Sequence, residues 1–279
     1  MSNGELEGER GAPLWPERLP RRAHPSQGVR HALAERLARR RGLGLTRVFS
    51  PAVGRQRVAR IARLVRDFAP GATRLRVLDL GAGDGTFAVR LAEEGAEVVA
   101  VEGRAEHVAR IRALVEERAV AVTVIHGDVR DLPAEHAAYD VVLCLGLLYH
   151  LPPPDVFRLV EHVAQAARHL AIFETQVSLA PRHAAEHGGA TYFGDYCRED
   201  TTQPAASLGN PTSFWLTRAS LLNLLDRSGF TSVAEALNPP VPELAAYADH
   251  VTLIARKGPA RLPAPRRRDE GPGRGRSTR

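Results

Sequence analysis

Three glycines, Gly81, Gly83 and Gly85, fall at alternate positions in the run Val77-Leu78-Asp79-Leu80-Gly81-Ala82-Gly83-Asp84-Gly85-Thr86. Glycine is needed where a backbone turns with positive φ or meets a ligand more closely than a Cβ permits. Three of them directly after an apolar run therefore predict a loop with a ligand lying against it. The dinucleotide fingerprint GxGxxG does not match, because its third glycine, counted from Gly81, falls on Thr86. Charge points the same way. A pyrophosphate at the start of the following helix would be repelled by Asp79 and Asp84, whereas a ligand carrying an ammonium and a sulfonium would be attracted. Glu102 ends the next apolar run, 23 residues after Asp79, where sheets of this kind place an acid that accepts hydrogen bonds from ribose hydroxyls. S-adenosylmethionine satisfies all of these requirements at once.

Methyl transfer from such a cofactor is an in-line displacement at a carbon already activated by sulfur, so alignment and exclusion of water are the main demands. A hydroxyl acceptor also benefits from a base, and a histidine titrating near neutrality suits that task. His150, beside Tyr149 and just past a strand ending at Leu145, is the candidate; the alternative is that it orients the loop through Pro152-Pro153-Pro154. Cys144, inside the strand, is read as core.

These residues need a scaffold. From Leu75 onward, short apolar runs alternate with amphipathic stretches, the pattern of a parallel sheet covered by helices on both faces. Strands are predicted over Arg76–Leu80, Glu97–Val101, Val122–His126, Asp140–Leu145 and Leu170–Glu174, with helices over Thr86–Glu94, Ala105–Arg118, Pro154–Arg168 and Arg218–Ser228. Runs at Thr231–Leu237 and His250–Ala255 have no helical pattern between them and predict an antiparallel pair at one sheet edge. Upstream, Val58, Ile61, Leu64, Val65 and Phe68 form a stripe at helical spacing after Ser50-Pro51, which suits a capped helix start. A shorter helix is expected over Val29–Arg41.

With those motifs in place, residues 76 to 174 resemble the class I S-adenosylmethionine-dependent methyltransferases. The similarity covers D-L-G-A-G-D-G, the acid of V-A-V-E, the H-G-D turn and Y-D-V-V-L-C-L-G-L-L-Y-H-L. The resemblance implies an α/β fold: a seven-stranded, mostly parallel, Rossmann-like sheet with helices on both faces and an antiparallel C-terminal hairpin. It implies that Asp79, Gly81 and Gly83 face the methionine part of the cofactor and Glu102 the ribose, with Ala82 and Gly103 also among the cofactor-binding residues. Asp128 and Val129 would meet the adenine, and Leu145 the methionine end. The run G-L-L-Y-H-L with a later S-F-W-L-T also resembles a subgroup that includes the tRNA wobble-uridine carboxymethyltransferases. Their carboxylated cofactor needs a further cation that no spacing here identifies, so this likeness is read as kinship within the fold.

The stretch 176–216 is long for a connection in an open sheet and reads as an irregular, lid-like insertion. It holds Tyr192, Phe193, Tyr196, Phe214 and Trp215 alongside polar residues, which suits the wall of an organic-acceptor site. Tyr149, Tyr192, Phe214 and Trp215 are the candidate acceptor-binding residues; a small subdomain covering the sheet edge is the alternative.

Charge narrows the partners. The net charge is +6, but nine basic and two acidic residues lie from Arg256 to Arg279, so the excess belongs to a Pro/Gly/Arg-rich tail. A small-molecule acceptor is thus expected and nucleic acid is not favoured, although an RNA modifier guided by that tail and a non-catalytic cofactor-binding protein remain the alternatives. Two cysteines, with no metal-ligand spacing, predict no metal and a reducing cytoplasm. The absence of an apolar run of about 18 residues predicts no membrane span. The expected organisation is a disordered arm over 1–28, N-terminal helices over 29–71, the methyltransferase domain over 72–257 and a disordered basic tail over 258–279. Oligomeric state is left open.

Overall fold

A computed structural model describes residues 51–69, 71, 74–132, 139–199, 207–236 and 249–258. The arm, the helix expected at Val29–Arg41 and the basic tail lie outside the described residues. The first described element is α1 (Pro51–Phe68), followed by β1 (Arg76–Leu80), α2 (Thr86–Glu93), β2 (Glu97–Glu102), α3 (Ala105–Arg118), β3 (Val122–His126) and β4 (Tyr139–Leu145). Then come α4 (Asp155–Ala166), β5 (Ala167–Gln176), β6 (His183–His187), β7 (Ala190–Arg198), β8 (Thr212–Leu216), α5 (Arg218–Arg227), β9 (Ser232–Glu235) and β10 (His250–Arg256).

Seven strands form one sheet in the order β3-β2-β1-β4-β5-β10-β9. The first five are parallel, and β10 runs antiparallel to both β5 and β9. The chain therefore has the Rossmann-like fold of the class I methyltransferases, with the hairpin expected from its last two apolar runs. Its strands read as near-continuous apolar runs because both faces are covered. On one face Val77, Val98, Ala100, Val141, Leu143 and Ile172 pack against α1, α2 and α3 through Ile61, Val65, Ala88, Leu91 and Ile111. On the other, Leu78, Leu80, Val142, Phe173 and Leu253 meet α4 and α5 through Phe157, Val160, Leu221 and Leu224. The stripe predicted on α1 is thus seated, with Ile61, Ala62 and Val65 buried.

Two expectations change. The helix expected to reach Arg168 ends at Ala166, because Ala167 already pairs with Tyr139 at the start of β5. The described residues of the stretch 176–216 are not irregular: β6, β7 and β8 build a separate three-stranded antiparallel sheet. The polar sequence of β6, His183-Ala-Ala-Glu-His187, hides the strand, since three of its five residues are exposed and the pairing is set by β7.

This small sheet is anchored on the main domain through Phe157 of α4, whose ring lies 5.1 Å from Tyr192, 6.4 Å from Phe214 and 4.9 Å from His187. Backbone bonds complete the join, Phe214 N–H donating to Leu151 and Ser178 N–H to Leu216. Phe157 is completely buried, so Phe157→Ala is expected to cost roughly 3–5 kcal/mol of stability. Amide exchange should rise first in β6–β8; an urea titration with a loss below about 1 kcal/mol would contradict this anchoring.

Candidate active site

The C-terminal ends of β1, β2, β4 and β5 converge on one edge of the sheet, and the candidate residues lie along it. Parallel strands bring every β-to-α loop to the same side, which is why residues distant in sequence meet there. At the tip of β1, Asp79 is 2% exposed, and its Oδ2 is buried with no hydrogen-bond donor among the described residues. Burial pushes its carboxyl up to about 7, the Arg57 guanidinium opposes the rise, and the neighbouring Glu102 and Asp84 add to it.

The loop then turns through Gly81 and Gly83 at φ 65° and 60°. A Cβ on Gly81 would press on the Leu147 side chain at 3.2 Å, whereas one on Gly83 would point into open space apart from its own loop carbonyl. Gly83 is therefore kept free of a side chain on the side where a ligand can approach. Ala82 is buried and its N–H donates to Val101 at 3.0 Å, tying the loop to β2.

Glu102 ends β2 at 6% exposure and fixes the same loop. Its Oε2 accepts the Gly83 N–H at 2.8 Å and its Oε1 the Arg104 N–H at 2.9 Å. Each oxygen retains a further lone pair for a ligand hydroxyl. Gly103 follows, its carbonyl 3.2 Å from His126 Nε2 and its α-carbon covered by the Leu208 side chain. Asp128 caps a short 3-10 turn, accepting the Arg130 N–H at 2.9 Å, and its carboxylate also holds the Arg130 guanidinium, with Nε 3.0 Å from each oxygen. Val129 is buried beneath it and Leu145 is buried at the end of β4.

A second group lies beyond β4. His150 ends a 3-10 turn, its ring 4.2 Å from that of Tyr149, which in turn meets Trp215 edge-on at 5.8 Å. Trp215 Nε1 is buried with no hydrogen-bond partner among the described residues. Phe214 lines a narrow cleft with Leu148, Tyr149, Thr175 and Gln176, yet it is wholly buried and packs on Phe157 and Tyr196. Tyr192 is not brought to this group: it is 3% exposed in the apolar core against Phe157. Cys144 is buried, with its thiol pushed up to about 12 by burial.

Three residues of this edge have no sequence signal. Glu199, directly after β7, places Oε2 2.9 Å from His150 Nδ1. Arg57 of α1 rests over the Phe87 ring at 4.8 Å and donates through Nε to Glu174 at 2.6 Å. Burial alone would raise the Glu174 carboxyl, but the hydrogen bond from His250 and the charge of Arg57 leave it below its ordinary value. The His150–Glu199 and Arg57–Glu174 contacts span 49 and 117 residues, so no local spacing could have shown them. Among the described residues no group of three or more His, Cys, Asp or Glu could hold a metal ion, and no helix is long and apolar enough to cross a membrane.

Comparison with known proteins agrees with this geometry. Residues 77–170 match the family model described as a methyltransferase domain. The ubiquinone biosynthesis O-methyltransferase of Cronobacter sakazakii is 39% identical over 80 residues, covering 28% of this chain and 33% of that protein. Its counterpart in Vibrio campbellii is 40% identical over 93 residues, covering 32% and 39%. The chain thus spans little more than a third of these relatives. Among solved structures, the N-terminal domain of EvdMO1 with SAH bound superposes with a TM-score of 0.61 at 27% identity over 72% of this chain and 81% of that one. An S-adenosylmethionine-dependent methyltransferase from Mesorhizobium loti gives 0.52 at 25% identity, covering 70% and 96%. The main sheet with its covering helices thus has the fold of the S-adenosylmethionine-dependent methyltransferases, and residues 77–170 within it match a methyltransferase domain.

Burial of Asp79 generates a test. Its folded-state value lies above the value of 3.8 for a free aspartate, so between about pH 4 and pH 7 the folded chain holds more protons than the unfolded one and stability falls as pH rises. Asp79→Asn removes this penalty. The variant is expected to melt higher than the parent at pH 8, with the gap closing toward pH 5; a pH-independent difference would contradict the assignment.

Proposed function

We propose that this chain is an S-adenosylmethionine-dependent methyltransferase acting on a hydroxyl oxygen of a small organic acceptor. The observation that carries the reading is Asp79 Oδ2, buried and without a donor among the described residues, beside a glycine loop that Glu102 fixes by accepting the Gly83 N–H. A buried carboxylate without a partner is costly, and a ligand ammonium would supply what it lacks. Glu102 fits ribose hydroxyls through its remaining lone pairs. The names of the relatives and the SAH-bound neighbour support the same class.

When bound, the cofactor supplies a methyl group on a positively charged sulfur. Held by Asp79, Gly83 and Glu102, it would supply the methyl carbon to the acceptor oxygen and would keep the electron pair of the carbon–sulfur bond on its sulfur. The acceptor's hydroxyl proton passes to His150 Nε2 and then to solvent. Tyr149 and Trp215 border this position and would hold the acceptor's apolar body, with the indole N–H free to donate to an acceptor oxygen. Asp128, Val129, Gly103 and Leu145 line the path expected for the rest of the cofactor. The reading places the enzyme in the cytoplasm, as the sequence with its two cysteines and no metal-ligand spacing suggests. The nucleic-acid alternative rests on the basic tail, which lies outside the described residues.

The test is mass spectrometry of phenolic and sugar-hydroxyl acceptors after incubation with isotope-labelled cofactor. Label should appear on oxygen, and His150→Ala should lower turnover roughly 100-fold with cofactor affinity intact. Label on nitrogen or carbon only, or full activity in His150→Ala, would overturn the proposal in its present form.

A further inference from the structure

His150 is held on two sides by the inserted segment. Its Nδ1 faces Glu199 at 2.9 Å, and both side chains are largely withdrawn from solvent, at 16% and 8% exposure. Its backbone carbonyl accepts the Asn210 amide at 2.8 Å, and the same Asn210 nitrogen also donates to Thr212. Its own N–H donates to Leu147 at 3.0 Å. Glu199 is fixed in turn: its N–H donates to Pro211 at 2.9 Å, and its Oε2 also accepts the Ser207 N–H at 3.3 Å. Burial works to raise the Glu199 carboxyl, but the bonds from His150 and Ser207 hold it below its ordinary range. It is therefore an ionised acceptor with no proton to offer. Nε2 of His150 has no hydrogen-bond partner among the described residues.

We propose that Glu199 is a positioning residue for His150. Its carboxylate takes the Nδ1 proton as a hydrogen bond, fixes the neutral ring in the Nδ1–H tautomer and leaves the Nε2 lone pair as the proton acceptor. A neutral imidazole has one donor and one acceptor nitrogen, so the group bonded at one nitrogen decides the role of the other. A side chain free in water favours the opposite tautomer, in which Nε2 carries the proton and cannot act as a base. The three-stranded insertion thus completes the reactive group by supplying Glu199 across the β7–β8 connection. The inference rests on the proposed role of His150 as the base.

The tautomer can be read without cofactor or acceptor, by long-range proton–nitrogen NMR of the imidazole rings in the full isotope-labelled chain. The His150 signal is assigned as the one lost in His150→Gln. Near neutral pH the parent should show protonated Nδ1 and unprotonated Nε2. Glu199→Ala should switch the ring to the Nε2–H form, and Glu199→Gln, whose amide oxygen can accept the same proton, should retain the parent form. Backbone amide spectra establish that each variant is folded; should Glu199→Ala fail to fold, the parent and Glu199→Gln spectra decide. An Nε2–H or doubly protonated ring in the parent, or a ring indifferent to Glu199→Ala, would overturn the proposal. A Glu199-dependent tautomer in a protein that transfers no methyl group to oxygen would instead overturn the proposed function alone. Once an acceptor is in hand, Glu199→Ala should lower kcat about 10-fold or more with KM little changed, and should cost nothing further in a His150→Ala background.

Discussion

Asp79 carries a carboxylate into the end of a parallel sheet, where it is 2% exposed and one oxygen finds no donor among the described residues. The sheet leaves it little choice. Asp79 pairs with Ala100 on one side and Leu143 on the other, and its neighbours Leu78 and Leu80 are committed to the apolar layer beneath α4. Desolvation of an unpartnered carboxylate is unfavourable by an amount comparable to several ordinary hydrogen bonds. The rest of the site can be understood as the surroundings of that charge. The loop turns past it through Gly81 and Gly83, Glu102 locks the loop by accepting from Gly83, and Arg57 provides a compensating cation.

That arrangement separates two tasks along one edge. In the proposed function the ends of β1 and β2 take a ligand bearing positive charge and hydroxyls. The turn after β4 and the inserted sheet form the other half, where Tyr149, His150, Glu199 and Trp215 meet. The insertion joins the halves physically. Its residue Leu208 covers Gly103 beside Glu102, and the Leu208 carbonyl accepts from Arg130 at 3.0 Å, while Asn210 two residues later holds His150. A segment that touches both ends of the site is well placed to keep water from the reacting atoms.

Much of the main domain was legible in the sequence, because its signals are local. The glycine spacing, the acid at the end of β2 and the apolar runs each report an element within a short window, and the structure places the first five strands within a few residues of their expected positions. The insertion was not legible. In β6 the pattern His183-Ala-Ala-Glu-His187 offers no alternation, and Tyr192 and Phe214, expected at an acceptor, are drawn into the core by Phe157 of α4. The His150–Glu199 contact spans 49 residues and the Arg57–Glu174 contact 117. Such pairs are set by tertiary packing, and nothing in the spacing of either partner announces the other.

The central claim is that the acidic glycine loop takes a nucleoside joined through sulfur to an amino acid rather than a dinucleotide. Isothermal titration calorimetry of the folded chain with S-adenosylhomocysteine and with NAD tests it directly. The account predicts saturable binding of S-adenosylhomocysteine at a single site, lost when Gly83 is replaced by a bulky residue, and no measurable heat with NAD. Binding of NAD in preference to S-adenosylhomocysteine by well-folded protein would contradict it.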